Sequence, residues 1–163
     1  MKTLLVLRHG KSSWKEAGVS DHDRPLKKRG YQAAIKMGEL IRNLDLVPNL
    51  ILSSTAKRAQ DTAIQFSEAC YFDGNMVFSY DLYHGSPSDY IDILRCHGGD
   101  HNSIMVVGHN PGVEELISCF LDFNEWMPTG SLAQLQLDLG LWIEINEFSK
   151  GKLVNIWHPR SLE

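Results

Sequence analysis

The first hydrophobic block, Thr3–Leu7 (TLLVL), is uninterrupted and stops in charge at Arg8. A short apolar run without alternation predicts a strand covered on both faces. From Tyr31 to Leu44 the period changes: Ala34, Met37, Leu40, Ile41 and Leu44 form the stripe of an amphipathic helix, with Pro48 just beyond its end. Leu50–Leu52 predicts a second buried strand, and Ser53, Ser54 and Thr55 offer caps for a helix running roughly from Ala56 to Ala69. After a turn at Asp73–Asn75, Met76–Phe78 reads as a third strand, and Ser86-Pro87-Ser88-Asp89 opens a helix that Gly98-Gly99 closes. Ile104–Val107 is a clearer fourth strand. It is followed by Gly108-His109-Asn110-Pro111, where Asn110 can cap, Pro111 can take the first helical position, and Leu116, Ile117, Phe120 and Leu121 supply a packed face. Leu132–Leu137 and Leu153–Trp157 read as late strands at one side of the sheet.

Strands and helices thus alternate, which predicts an α/β fold in three α/β/α layers with a largely parallel sheet and helices on both faces. With 163 residues, no repeat, no linker and no low-complexity tract, residues 1–163 are expected to form one domain. Ligands in such sheets bind at the carboxyl ends of strands. Two of these ends carry a histidine: Arg8-His9-Gly10 after the first strand and Gly108-His109-Asn110 after the fourth.

The net charge of −4 disfavours a protein that grips a nucleic-acid backbone over a broad face. Its distribution matters more. Residues 8–29 hold seven basic side chains against three acidic ones, so that stretch carries +4 and the remainder −8, and an anion is drawn to the segment although the molecule is acidic. The Lys27-Lys28-Arg29 run within it reads as an ordinary solvated helix start in preference to a docking patch. Cys70, Cys96 and Cys119 are odd in number and far apart, and are read as buried cysteines of a reducing compartment. The apolar run after Lys2 is too short for a signal peptide or a membrane span, so a cytoplasmic protein without a membrane partner is expected.

An imidazole at the mouth of a buried strand, beside an arginine and a glycine, has the parts for nucleophilic attack on phosphorus. His9 is the candidate nucleophile, neutral near pH 7 from its ordinary pKa of about 6.5. Arg8 can fork donors onto phosphoryl oxygens, Gly10 lets the backbone come close, Arg58 can approach from the start of the second helix, and His109 adds a donor beside a helix N-terminus. Ser12 and Lys15 are further candidates for the phosphate or substrate. Phosphoryl transfer needs mainly positioning and charge stabilisation, so this set needs no cofactor and no metal.

Other motifs fail when checked. Gly10-Lys11-Ser12 imitates the end of a P-loop, but the required first glycine falls at Leu5. His97 and His101 are separated by Gly98-Gly99 and belong to no HExxH. Ser131 follows Gly130 but lacks the closing glycine of a nucleophile elbow. Trp14, Trp126, Trp142 and Trp157 are expected in the core or a pocket wall in preference to a base-stacking platform.

Arg8-His9-Gly10, Leu52-Ser53-Ser54 with Arg58-Ala59 and Thr62, and Gly108-His109-Asn110-Pro111 together resemble the histidine phosphatase superfamily. The resemblance runs essentially end to end. Asp21-x-x-Arg24-Pro25-Leu26, Arg29-Gly30 and the Pro128-Thr129-Gly130 turn look most like its small SixA-type phosphohistidine phosphatase branch. It implies a phosphoglycerate mutase-like α/β sandwich, a covalent phosphohistidine on His9, a phosphate pocket of Arg8, Arg58 and His109, and no cofactor. Phosphoglycerate mutase-like members usually carry Glu and Asn where this chain has Lys11 and Lys15, which argues against a sugar-phosphate mutase. Their glutamate acid, two residues past a leucine after the third strand, is replaced here by His84, counted from Leu82.

An alkoxide leaving group wants a proton in the transition state, whereas the imidazole of a phosphohistidine leaves more readily, so a site without a dedicated carboxylic acid suits a phosphoramidate. The expectation is therefore a phosphatase acting on phosphohistidine of a protein and releasing inorganic phosphate. Two alternatives stay open. One is a phosphomonoesterase for a small phosphorylated metabolite with His84, or else Asp81, as acid; the other is a weakly catalytic module that only binds phosphohistidine. A nucleic-acid partner is not expected.

Overall fold

The computed structural model describes residues 1–162; Glu163, the last residue of the expected domain span, lies outside the described residues. Six strands form one sheet: β1 (Lys2–Arg8), β2 (Leu50–Ser54), β3 (Asn75–Ser79), β4 (Ser103–Gly108), β5 (Leu132–Leu137) and β6 (Gly151–Trp157). Their order is β3-β2-β4-β1-β5-β6. The four strands from β3 to β1 are parallel; β5 runs antiparallel to β1, and β6 antiparallel to β5. The late strands therefore do sit at one side.

Four helices cover the sheet: α1 (Lys28–Asn43), α2 (Lys57–Ala69), α3 (Pro87–His97) and α4 (Gly112–Leu121). Because successive side chains of a strand point to opposite faces, each central strand supplies two cores. Leu5, Leu7, Ile51, Met105 and Val107 meet Met37, Ile41, Ala63 and Phe66 of α1 and α2. Leu4, Val6, Leu52, Ile104 and Val106 meet Tyr90, Leu94, Leu116, Ile117 and Phe120 of α3 and α4. This is the three-layer α/β/α arrangement, and it explains why these strands read as unbroken apolar runs.

Some local expectations give way to tertiary contacts. The first helix starts at Lys28, three residues before the apolar stripe, with Lys27 as an N-cap that makes no side-chain capping bond. α2 likewise starts from Ala56 without a side-chain cap; Ser54 instead accepts the Ala56 N–H at 3.2 Å while it faces His109, and Thr55 pairs with His22. Asn110 does not cap α4. Its amide donates to the Met127 carbonyl at 3.1 Å, and the helix starts at Gly112, beyond Pro111. At α3 the predicted start holds, with the Asp89 carboxylate accepting the Ser86 N–H at 2.8 Å and the Ser86 hydroxyl at 3.0 Å.

The cysteines differ from one another: Cys70 is buried, Cys119 is half-buried and Cys96 is exposed on the outer turn of α3, so the expectation of three buried thiols is corrected. The tryptophans divide as well. Trp142 is fully buried and Trp157 packs against the α1–α2 core, but Trp14 is 74% exposed and lies in neither core nor pocket wall; the Arg24 guanidinium stacks on its ring at 3.2 Å. Trp126 is 68% exposed and forms part of a groove wall.

α1 and α2 approach closely because Gly38 has no side chain. A Cβ there would stand 2.5 Å from the Phe66 carbonyl oxygen and 2.7 Å from the Ala69 methyl. We expect Gly38→Ala to destabilise the fold by about 1–3 kcal/mol, the usual cost of overpacking, despite the better helix propensity of alanine. Urea unfolding of the variant checks this, and a midpoint at or above wild type contradicts it.

Candidate active site

The parallel register places the two histidines side by side. Arg8 of β1 is opposite Gly108 of β4, so His9 and His109 leave the sheet together, with ring centroids 4.9 Å apart. Ser53 of β2 is opposite Val107, which brings Ser54 beside His109. Three adjacent carboxyl ends thus converge, as expected for ligand sites in open α/β sheets.

Each turn is held by backbone contacts. The His9 carbonyl accepts the Gly130 N–H at 2.8 Å, and the Gly10 N–H donates to Thr62 Oγ1 at 3.0 Å, whose hydroxyl donates to the Arg58 carbonyl at 2.7 Å. Gly10 is required by a neighbour within the protein: a Cβ would lie 2.8 Å from the Gly30 carbonyl oxygen. The β1 turn therefore lies directly on the first turns of α1 and α2.

His9 is 6% exposed and His109 7%. His9 Nδ1 lies 2.7 Å from the Gly10 carbonyl oxygen, which can only accept, so Nδ1 carries the proton and the Nε2 lone pair is free. Burial lowers the His9 pKa to about 3, and the positive charges of Arg58, Arg8 and Arg24 push the same way against the Gly10 bond. His109 is lowered to about 2 by burial first, then by His9, Arg58 and His84. Both rings are neutral in the folded protein. His109 Nε2 contacts Ser54 Oγ at 2.8 Å, while His109 Nδ1 and Arg8 Nε are buried without a partner among the described residues. Arg8 is otherwise anchored by Nη1 on the Met127 carbonyl at 2.9 Å.

Arg58 is oriented by a residue the sequence reading assigned no role. Its guanidinium donates to the Asp21 carbonyl at 2.7 Å and to the Asp21 carboxylate at 3.1 Å. The same carboxylate accepts from Arg24 at 2.8 Å and from the Tyr83 hydroxyl. These bonds, that of Tyr83 foremost, hold the Asp21 carboxyl well below the usual carboxylate range. His22 stands next to this cluster, bonded to Thr55 Oγ1 at 2.8 Å and edge-on to Tyr83. Asp21 and Arg24 belong to a segment that marked the family resemblance, but nothing in local sequence says that Asp21 reaches a residue 37 positions away.

The other candidates are placed as follows. Ser12 is buried and accepts from Arg24 Nη2, which ties it to the support of Arg58. Lys15 is exposed on the loop after β1. His84 is exposed and stacks on Tyr83 with centroids 4.0 Å apart, and Tyr83 in turn meets the His109 ring edge-on at 5.6 Å. Asp81 lines a different hollow, with Asp89, Asp92, Cys96 and His97. Among the described residues no group of three or more His, Cys, Asp or Glu side chains is arranged to hold a metal, and no helix is long and apolar enough to cross a membrane.

The two depressed histidines have a consequence for stability. Unfolding frees both to titrate near pH 6.5, so below that pH the unfolded chain binds more protons than the folded one. Their contribution is complete above pH 6.5 and is lost as pH falls toward 3, with a slope of up to about 1.4 kcal/mol per pH unit for each ring. We expect urea unfolding to show a loss of a few kcal/mol between pH 7 and pH 5, and the double variant His9→Gln/His109→Gln to show a much flatter profile. Equal slopes in the two proteins contradict the assignment.

Comparison with known proteins agrees with this geometry. The sequence model of the histidine phosphatase superfamily (branch 1) matches residues 4–74, which span the His9 turn and Arg58. An uncharacterised chloroplastic protein of Arabidopsis thaliana is 32% identical over 152 residues, covering 88% of this chain and 70% of its own. The crystal structure of a putative phosphohistidine phosphatase SixA from Agrobacterium tumefaciens superposes with a TM-score of 0.82 at 25% identity, covering 97% of this chain and 98% of the other. A structure of the protein histidine phosphatase SixA complexed with tungstate gives a TM-score of 0.84 at 20% identity over 99% of each chain, a likeness of fold. With its three-layer sheet, its paired histidines and these matches, the chain belongs to the histidine phosphatase superfamily.

Proposed function

We propose that residues 1–163 act as one cytoplasmic phosphatase domain that removes the phosphoryl group from phosphohistidine on a protein, through a covalent phosphohistidine on His9. The observation that carries this reading is the state of His9: a neutral ring whose Nδ1–H is committed to the Gly10 carbonyl, leaving Nε2 as a nucleophile among Arg8, Arg58 and His109. The buried unpaired donor at Arg8 Nε supports an anion at this place. In this reading the Ser54 hydroxyl donates to His109 Nε2, which leaves the proton on the unpartnered Nδ1 as a second donor for the anion.

In the first step His9 Nε2 forms a bond to phosphorus as the bond from phosphorus to the substrate imidazole breaks, and the departing ring takes its proton from solvent. Arg8, Arg58 and His109 hold the equatorial oxygens, whose charge is the main thing the site has to stabilise. A water then attacks the phosphoryl group, the bond to Nε2 breaks, and inorganic phosphate leaves with His9 neutral again. Three preorganised cationic or donor groups supply this charge stabilisation without a metal. His84, exposed and stacked on Tyr83, belongs to the rim in this scheme and Asp81 has no part in it.

Intact-protein mass spectrometry after rapid quench with a small phosphoramidate tests the covalent step. An acid-labile phosphoryl adduct is expected on wild type and not on His9→Ala, whose turnover falls at least a thousandfold. Absence of both adduct and phosphate release overturns the enzymatic reading in favour of a binding module. His84→Ala is expected to leave phosphoramidate turnover within a few-fold of wild type, and a selective loss of phosphomonoester hydrolysis in that variant favours the small-metabolite alternative.

A further inference from the structure

One groove among the described residues has Arg8 in its wall but not His9. It encloses about 780 Å³ between the outer side of α1, the Trp126–Thr129 segment and the turn after β6. Its lining contains five Lys or Arg residues, Arg8, Lys11, Arg29, Lys36 and Arg160, together with His158, and no Asp or Glu. This bias stands against a chain that has more acidic than basic residues. Outside the groove Arg24 and Arg58 pair with Asp21, Lys57 with Asp61, Arg95 with Asp92 and Lys150 with Asp122, while Lys2, Lys15, Lys27, Lys28, Arg42 and Lys152 form no ion pair among the described residues. Lys11, Arg29 and Lys36 have no ion-pair partner among the described residues. The charge at Arg29 that the sequence reading gave to a solvated helix start thus faces a groove.

The geometry points to this groove as the seat of an acidic polypeptide segment that flanks the phosphorylated histidine of the partner protein. The assignment rests on the proposed phosphohistidine reading and names the kind of partner that it serves. Arg29 and Lys36 are seven positions apart on α1, about 10 Å along its axis at 1.5 Å per residue. An extended segment covers that distance with about three residues. That spacing of Arg29 and Lys36 along one helix suits carboxylates spaced along a chain better than one compact phosphate. Trp126, stacked near His158 with centroids 5.9 Å apart, offers an aromatic face for the stems of such side chains. Arg8 belongs to both the groove and the surroundings of His9, so a chain lying in the groove is continuous with a phosphoryl group at the nucleophile. Unpaired cations facing a partner also steer encounter, an effect that salt screens.

The test compares two phosphohistidine peptides, one with a flank rich in Asp and Glu and one with Asn and Gln in their places. Wild type is expected to hydrolyse the acidic peptide with at least tenfold higher kcat/KM, the advantage residing in KM and shrinking as salt is raised. In Arg29→Gln/Lys36→Gln the advantage collapses, while turnover of a small phosphoramidate stays at the wild-type level. Equal rates on the two peptides, or a preference that survives the double substitution, overturn the inference and leave the phosphatase reading intact. If wild type turns over no phosphoramidate at all, the phosphatase reading fails, and the groove is judged by binding of the unphosphorylated acidic peptide, read by fluorescence with Trp126→Phe as control. Salt-sensitive binding that the double variant loses supports the groove. No binding, or displacement of the peptide by inorganic tripolyphosphate at far lower concentration, overturns it.

Discussion

The alignment of Arg8 with Gly108 across β1 and β4 is the constraint from which the site follows. Parallel pairing fixes which residue leaves one strand beside which residue of the next, and a slip of one position would turn every buried side chain of β1 to the opposite face. Because Leu5 and Leu7 are packed under α1 and α2 while Leu4 and Val6 are packed under α3 and α4, both faces resist such a slip. The hydrophobic cores thereby hold His9 and His109 in contact, although 100 residues separate them in the chain.

Around that pair the electrostatics are unbalanced. Arg8, Arg24 and Arg58 all oppose protonation of His9, and Asp21 is the carboxylate bonded to two of them. Glu114 faces Arg8 from the first turn of α4 and offsets part of the remaining charge. A cluster of this kind disfavours further positive charge and favours an anion. Burial is the first cause of the low His9 pKa, and the arginine charges that add to it are the same charges that would attract the phosphoryl group of the proposed reaction. Asp21 limits the cost by fixing Arg58 and Arg24 in place, and Tyr83 and Ser12 hold the far side of that network.

The close contact of two glycines connects this cluster to the basic groove. Gly10 lies on Gly30, which sets the start of α1 against the His9 turn and carries Arg29 and Lys36 into the wall beside Arg8. Arg29 and Lys36 of α1 come to share a groove with Arg8 because one helix and one turn are locked at a fixed separation.

How much of this was legible in the chain depends on the range of the interaction. Unbroken apolar runs specified β1 and β4 because both faces of those strands are covered, and the 3.6-residue stripe specified α1 for the same reason in helical form. Histidines at two strand ends, with Arg58 at a helix start, named the candidate nucleophile and most of the side chains that the fold gathers around it, since strand ends in such a sheet have a known direction. Caps were less legible: Ser54 and Asn110 carry the right side chains, but His109 and Met127 compete for them, and which partner wins depends on parts of the chain that are distant in sequence. The link from Asp21 to Arg58, the side of Tyr83 on which His84 stacks, and the gathering of α1 and the residues after β6 into one groove share that character. By itself the sequence determined which segments must be buried and which residues are candidates for the chemistry, because periodicity and residue type are local. Only the tertiary structure decided protonation state, hydrogen-bond partner and charge neighbourhood, because burial and Coulomb interactions depend on distance in space and not on separation along the chain.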